Sequence, residues 1–295
     1  MRVSIVTPSY NQALFLEDTI RSVLGQSYPD IEYMVMDAGS TDGSAEILRK
    51  YGDKLAFWQS RTDRGMADAI NQGWTRATGE ILSYLNSDDT LERDAVDKVV
   101  EAFRRSPRAG VVYGDSKVID ASGNYLRDFA SDTFSHRKIF TAWVNPVRQP
   151  STFIRRELYQ RFGGFDESFH FCLDLEYWLR ISEQAEFLHL SVPLSYIRLH
   201  DQSKTATQEH VQARELIRIF QKMESSPVFL NSGIRKEEAL KGLYFQVSEH
   251  YLQAGHRREA LGTFLRYCRL AFGPLTAAYR FSRYMARVFL RNSRI

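Results

Sequence analysis

The chain has 295 residues, of which 43% are apolar and 25% charged. These are ordinary proportions for a folded globular protein, and they exclude disordered, collagen-like and disulfide-scaffold classes. The net charge of +3 is unevenly placed: residues 257–295 hold nine arginines and one acid, so the rest of the chain carries about −5.

No run approaches the roughly 18 apolar residues that a membrane-spanning helix needs. The opening MRVSIVTPSYN reads as a strand from residue 2 and leaves no room for a leader. Cys172 and Cys268 lie far apart without metal-ligand spacing, which points to a reduced, cytoplasmic setting.

In chain order, residues 2–8 form an apolar, β-branched run ended by Pro8, and Leu14, Ile20, Val23 and Leu24 place a helix over 13–27. A strand follows over 31–37, then a helix over 44–50 capped by Ser40 or Asp42. Strands at 55–60, 80–86 and 111–115 alternate with helices at 66–77 and 93–105. Such alternation implies βαβ units and a mostly parallel sheet. Residues 116–150 are mixed, with Gly123 in a hairpin turn; helices are predicted at 155–162 and 174–184, and strands at 187–190 and 194–198. Beyond residue 205 the strands stop, and helices are expected at 206–224, 235–254, 256–271 and 275–292. The expected organisation is therefore an α/β domain over 1–205 and a helical region over 206–295.

In an open α/β sheet, ligands bind beyond the carboxyl ends of the strands. The segments there are Thr7-Pro8-Ser9-Tyr10-Asn11, Asp37-Ala38-Gly39-Ser40-Thr41-Asp42-Gly43, Asp63-Arg64-Gly65 and Asn86-Ser87-Asp88-Asp89. A single such Asp reads as a helix cap, but three acidic clusters on one sheet edge read as a site. Adjacent carboxylates at Asp88 and Asp89 repel unless a cation or hydrogen-bond donors offset them. Mg²⁺-like ions combine one or two carboxylates with substrate phosphates. Neither a P-loop, nor a dinucleotide fingerprint, nor a nucleophile elbow occurs. A second constellation comprises Gln149-Pro150-Ser151-Thr152-Phe153, Gly163-Gly164-Phe165-Asp166 and Asp174-Leu175-Glu176-Tyr177-Trp178. On a helix, Asp174 and Glu176 diverge by about 200°, so they cannot both face a cleft. Asp174 is the favoured cleft residue, with capping of its own helix the alternative.

Together these segments resemble family 2 glycosyltransferases, over residues 2 to about 205 in order and spacing. The resemblance implies a GT-A fold and an inverting transferase acting on a nucleotide-diphospho-sugar, with a UDP-sugar favoured over a GDP-sugar. It places Thr7, Pro8, Ser9 and Asp37 at the nucleotide and makes Asp174 the general base. Asp89 is then the first choice for the divalent cation, Mn²⁺ or Mg²⁺, with Asp88 serving the metal or the ribose. Asn86 stands where the usual Asp-x-Asp motif begins. His200 either reaches the metal or sits in a solvated loop. Asp63 and Arg64 either contact nucleotide or pair with each other. Asp68 and Asn71 either line the cleft or pack. Gln149, Glu176 and Trp178 are further acceptor or cleft candidates, with a core position the alternative for Trp178 and for Trp143.

Residues 237–274 resemble a single tetratricopeptide-like hairpin, with an ordinary helical hairpin the alternative. One such repeat cannot bury its own face, which suggests packing on the catalytic domain or a homodimer. Arg280, Arg283, Arg287, Arg291 and Arg294 line one face of a last helix beside Phe281, Tyr284, Met285 and Val288. This suits an anionic membrane surface contacted through residues 275–295, on the inner face of the plasma membrane, and a saccharide or lipid-linked acceptor of the kind used in polysaccharide synthesis; a solvated helix packing on the domain is the alternative. Nucleic acid is not an expected partner, because the body is acidic. Two other functions compete: a sugar nucleotidyltransferase, and a non-catalytic scaffold acting through the helical tail.

Overall fold

The computed structural model describes residues 1–201, 203 and 209–290. The chain divides into two compact units, Met1–Phe134 with Pro146–His200, and Ser135–Asn145 with Asp201–Ile295. A boundary at residue 205 lies outside the described residues; the division runs between His200 and Asp201, and Ser135–Asn145 groups with the C-terminal helices.

The first unit is built from β1 (Val3–Ser9), α1 (Ala13–Leu24), β2 (Ile31–Asp37), α2 (Ser44–Tyr51), β3 (Phe57–Ser60), α3 (Met66–Arg76), β4 (Ile81–Tyr84), β5 (Thr90–Leu91), α4 (Ala95–Arg105), β6 (Ala109–Ile119) and β7 (Tyr125–Phe129). After an excursion through α5 (His136–Ala142), it resumes with β8 (Thr152–Arg155), α6 (Arg156–Phe162), α7 (Leu173–Ile181) and β9 (Glu186–Arg198). Among the described residues nine strands form one sheet, in the order β3-β2-β1-β4-β8-β6-β9-β5 with β7 beside β6. Strands β3, β2, β1 and β4 are mutually parallel, β8 runs antiparallel between β4 and β6, and β9 is parallel to β6. Six strands therefore point one way and β5, β7 and β8 the other.

All seven residues of β1 are buried, as expected of a parallel strand covered on both faces. Val3 and Ile5 join Leu16, Ile20 and Val23 of α1 in the core. On the opposite face Val6 meets α3 at Gly73, where an added Cβ would lie 2.6 Å from both Val6 methyls. Strand β1 ends at Ser9 in register with Asp37, and Asp37 is in register with Ser60 of β3, so three strand ends form one polar edge.

Two of the departures from the sequence reading shape the sheet. Strand β8 lies where only a motif was read. The two strands expected at 187–190 and 194–198 are one strand, β9, whose register against β6 shifts between Gly114 and Asp115. That irregularity seats Leu194 against Gly114, whose Cβ would lie 2.5 Å from the Leu194 side chain.

The second unit comprises α5, α8 (Glu209–Met223), α9 (Pro227–Leu230), α10 (Lys236–Gln253), α11 (Arg257–Ala271) and α12 (Pro274–Leu290). Trp143 ends α5 in the left-handed region at φ 52°, and its indole N–H donates to the Ala239 carbonyl at 3.0 Å. Trp143, Phe140, Phe220 and Phe229 pack edge to face, so Trp143 is a core residue. Helix α10 reaches the α5 backbone through Gly242, where a Cβ would lie 1.8 Å from the Thr141 carbonyl oxygen. Alanine favours a helix by about 1 kcal/mol over glycine, but a backbone oxygen cannot rotate away. Gly242→Ala is expected to destabilise this unit by about 1–3 kcal/mol, read as a lower melting temperature. An unchanged melting curve would show that the two backbones separate without cost.

Candidate active site

The first strand end shapes a loop pair. Thr7 points into the core, where its hydroxyl is 2.9 Å from that of Tyr33, and Pro8 is buried. The Ser9 hydroxyl is buried with no hydrogen-bond partner, and a buried orphan of this kind calls for a ligand or water. Asp37, 1% exposed, accepts hydrogen bonds from the Gly39 and Ser40 amides (3.2 and 3.0 Å) and from the Ser40 and Ser60 hydroxyls (2.5 and 2.6 Å). Its carboxylate thus folds the loop 38–43. Asn11 completes the bridge: its amide donates to Ser40 Oγ and its side chain accepts from the Thr41 amide.

The third strand end gives mostly structural roles. Asp63 accepts from the Gly65 amide at 2.7 Å. Arg64 pairs with Asp68 at 3.0 Å and with Glu167 at 2.9 Å. Asp68 also accepts from the Arg64 amide and from Gln72; burial would raise its carboxyl pKa, but these donors outweigh burial and hold it below the usual range. Asn71 clamps Phe165, donating to its carbonyl at 2.9 Å and accepting from its amide at 2.8 Å. Asn71 thus ties α3 to the segment before α7, and Asp68 is buried at the start of α3.

The segment after β4 carries the acidic pair. Asp88 Oδ2 lies 3.1 Å from His200 Nε2, and the His200 ring packs on Phe15. Asp89 turns inward instead. Its Oδ1 accepts from the Arg198 amide at 3.0 Å, and burial, reinforced by the neighbouring Asp88, pushes its carboxyl well above the usual range. Asp88 rather than Asp89 stands beside His200, and Asp89, the first choice drawn from the resemblance, is the inward member of the pair. Arg198, nearly fully buried, fixes this arrangement by donating to the carbonyls of Asp88 and Ala121 and to the Asp18 carboxylate. It was missed as a functional residue. The available signal was its spacing, since residues two apart in extended chain share a face and Arg198 precedes His200 by two. Gln149 supports the same loop, accepting from Asn86 Nδ2 at 3.1 Å and donating to the Tyr84 carbonyl at 2.7 Å. Both ends of its amide thus tie the segment before β8 to the end of β4.

Helix α7 separates its two acids as their spacing required. Asp174 is half-buried and accepts from the Leu175 amide at 2.8 Å. Burial first, and then the charges of Asp174 and Asp89, push the Tyr84 hydroxyl well above its ordinary pKa, so both carboxylates lie around the end of β4. Glu176 is fully buried and paired with Arg180 at 3.0 Å, while Arg180 also donates to the Phe162 and Gly164 carbonyls. Trp178 is buried against Phe165 and Tyr177. Glu176 and Trp178 are thus interior residues.

Among the described residues no three His, Cys, Asp or Glu side chains converge as a closed metal cage. A hard divalent cation bound with a diphosphate needs only one or two protein ligands, however. The Asp88–His200 pair fits that requirement.

The family model described as glycosyl transferase family 2 matches residues 4–163. A chondroitin synthase of Pasteurella multocida is 29% identical over 192 residues, 64% of this chain and 20% of that protein. The chain thus spans about a fifth of the length of that relative. An uncharacterized glycosyltransferase of Mycobacterium tuberculosis is 34% identical over 186 residues, 62% of this chain and 70% of the relative. Among solved structures, S. aureus TarS 1-349 in complex with UDP-GlcNAc superposes with a TM-score of 0.66 at 16% identity, covering 92% of this chain and 82% of that one. Mannosyltransferase PcManGT from Pyrobaculum calidifontis, in complex with GDP-Man and Mn²⁺, gives 0.65 at 21% identity, covering 98% and 80%. At those identities the likeness is one of fold, and it agrees with the expected GT-A class.

Proposed function

The chain belongs to glycosyl transferase family 2, and from that premise we propose that it is an inverting, metal-dependent enzyme that moves a sugar from a nucleotide-diphospho-sugar to a hydroxyl of a saccharide or lipid-linked saccharide. Family membership favours this reading over a sugar nucleotidyltransferase. The observation that carries it is the Asp88–His200 pair at 3.1 Å, on a sheet where Asp174 and Asp89 both act on Tyr84 at the end of β4.

Asp174 takes the proton of the acceptor hydroxyl as general base. The freed oxygen bonds to C1 of the donor sugar as the bond from C1 to the diphosphate oxygen breaks, and its electron pair leaves on the nucleoside diphosphate. One displacement inverts C1 and needs no protein nucleophile. A divalent cation held by Asp88 and His200, Mn²⁺ or Mg²⁺, supplies Lewis-acid stabilisation of that leaving charge when bound. The orphaned Ser9 hydroxyl at the end of β1 meets the nucleotide beside the loop 38–43 that Asp37 holds, and the exposed Arg64 exchanges its pairing with Asp68 and Glu167 for phosphate. The donor is a UDP-sugar in this reading, with a GDP-sugar second; TarS and the mannosyltransferase were solved with one of each.

Thermal melting of the intact protein with UDP, GDP, CDP and dTDP, each with and without Mn²⁺, tests the proposal. One nucleotide, UDP, is expected to stand out only with metal. At 100 times its Kd it adds about 2.7 kcal/mol, a rise of several degrees. Asp88→Ala should abolish the metal-dependent part while keeping the unliganded melting temperature. If no nucleotide shifts the melting curve, the site assignment fails and the helical-scaffold reading gains.

A further inference from the structure

The last helix has a surface with no part in this chemistry. Helix α12 buries one face only: Tyr284 stacks on Phe264 with ring centroids 3.7 Å apart, its hydroxyl donates to the Ser248 carbonyl at 3.0 Å, and Val288 is fully buried. The opposite surface is open. Leu275 is 90% exposed, Tyr279 59% and Met285 36%. At 3.6 residues per turn these three positions share a stripe of roughly a third of the helix circumference. Arg280 and Arg283, both exposed, begin the adjoining stripe. In the sequence Arg287, Arg291 and Arg294 follow at spacings of four and three, and no acid follows Glu259.

We infer that α12 docks this protein on an anionic lipid bilayer. Charge and apolarity select that occupant together. An acyl–headgroup boundary accommodates an apolar stripe bordered by arginines, whereas water leaves the stripe exposed. Nucleic acid would answer the arginines but leave Leu275 and Met285 without partners. A second copy would bring two arginine stripes of like charge together. The helix lies on the surface rather than crossing it, since among the described residues no helix is long and apolar enough to span a membrane. The inference is independent of the proposed catalytic roles.

Sedimentation of the intact protein with phosphatidylcholine vesicles, with and without phosphatidylglycerol, tests it. Binding is expected only to vesicles containing phosphatidylglycerol and should weaken as salt is raised, because the headgroup attraction is screened. Each arginine near such a surface is worth about fivefold in partitioning, so Arg280→Glu with Arg283→Glu should lower it by roughly 25-fold or more. Leu275→Ser with Tyr279→Ser, at exposed positions, should weaken binding while leaving the melting temperature unchanged. Three results would overturn the inference: no sedimentation with anionic vesicles at low salt, partitioning indifferent to both double variants, or a wild-type dimer that the arginine variant converts to monomer without any lipid binding.

Discussion

Asp174→Asn should lower turnover by about 10²–10⁴-fold, the usual worth of a positioned general base, while leaving the nucleotide-dependent rise in melting temperature intact. The substitution keeps the size of the side chain and an oxygen able to accept from the Leu175 amide, as the native carboxylate does at 2.8 Å, so the helix start survives. What is lost is the capacity to take a proton at neutral pH. The diagnostic pattern is a fall in kcat with little change in the donor KM, because the proposed nucleotide contacts, Ser9 and Arg64, belong to other strand ends. Retention of more than about a tenth of wild-type turnover would assign Asp174 to capping its own helix and send the search for a base elsewhere.

The second large effect is on stability. Removing Glu176 leaves the Arg180 guanidinium without the partner it meets at 3.0 Å, in a fully buried setting on the glutamate side. Truncating one member of a buried ion pair costs about 3–5 kcal/mol. Glu176→Ala should therefore lower the melting temperature by roughly 10 °C. Because Arg180 also gathers the carbonyls of Phe162 and Gly164, the loop between α6 and α7 should loosen with it. Glu176→Gln, which retains an acceptor, should lose less. Equal melting of the alanine variant and the wild type would mean that Arg180 finds other acceptors at no cost.

The parallel half of the sheet was legible because each of its central strands is a buried apolar run that ends in polar residues, a local pattern. Strand β8 was not, since its four residues lie beside a proline and gain their identity only by pairing with β4 and β6. The site divides along the same line. Spacing alone required that Asp174 and Glu176 part company, and they do. Spacing could not say which of Asp88 and Asp89 turns inward, because that is decided by Arg198, 109 positions away from Asp89 in the chain. For the same reason Asn71 read equally well as a cleft residue or a packing residue: its partner, the Phe165 backbone, is 94 positions distant.

The excursion through α5 has a consequence for how the protein can be divided. Ile139, Phe140 and Trp143 are buried within the second unit, and Trp143 is anchored to the Ala239 carbonyl of α10. A polypeptide ending near residue 200 would retain α5 but lose every later helix that covers it. The result would be an aromatic patch left in water in the middle of the remaining chain, an aggregation liability that a cut chosen from linear order alone would create. The helical region is in this sense not an appendage that can be clipped from the end of the catalytic unit, because part of its core is encoded between Phe134 and Pro146.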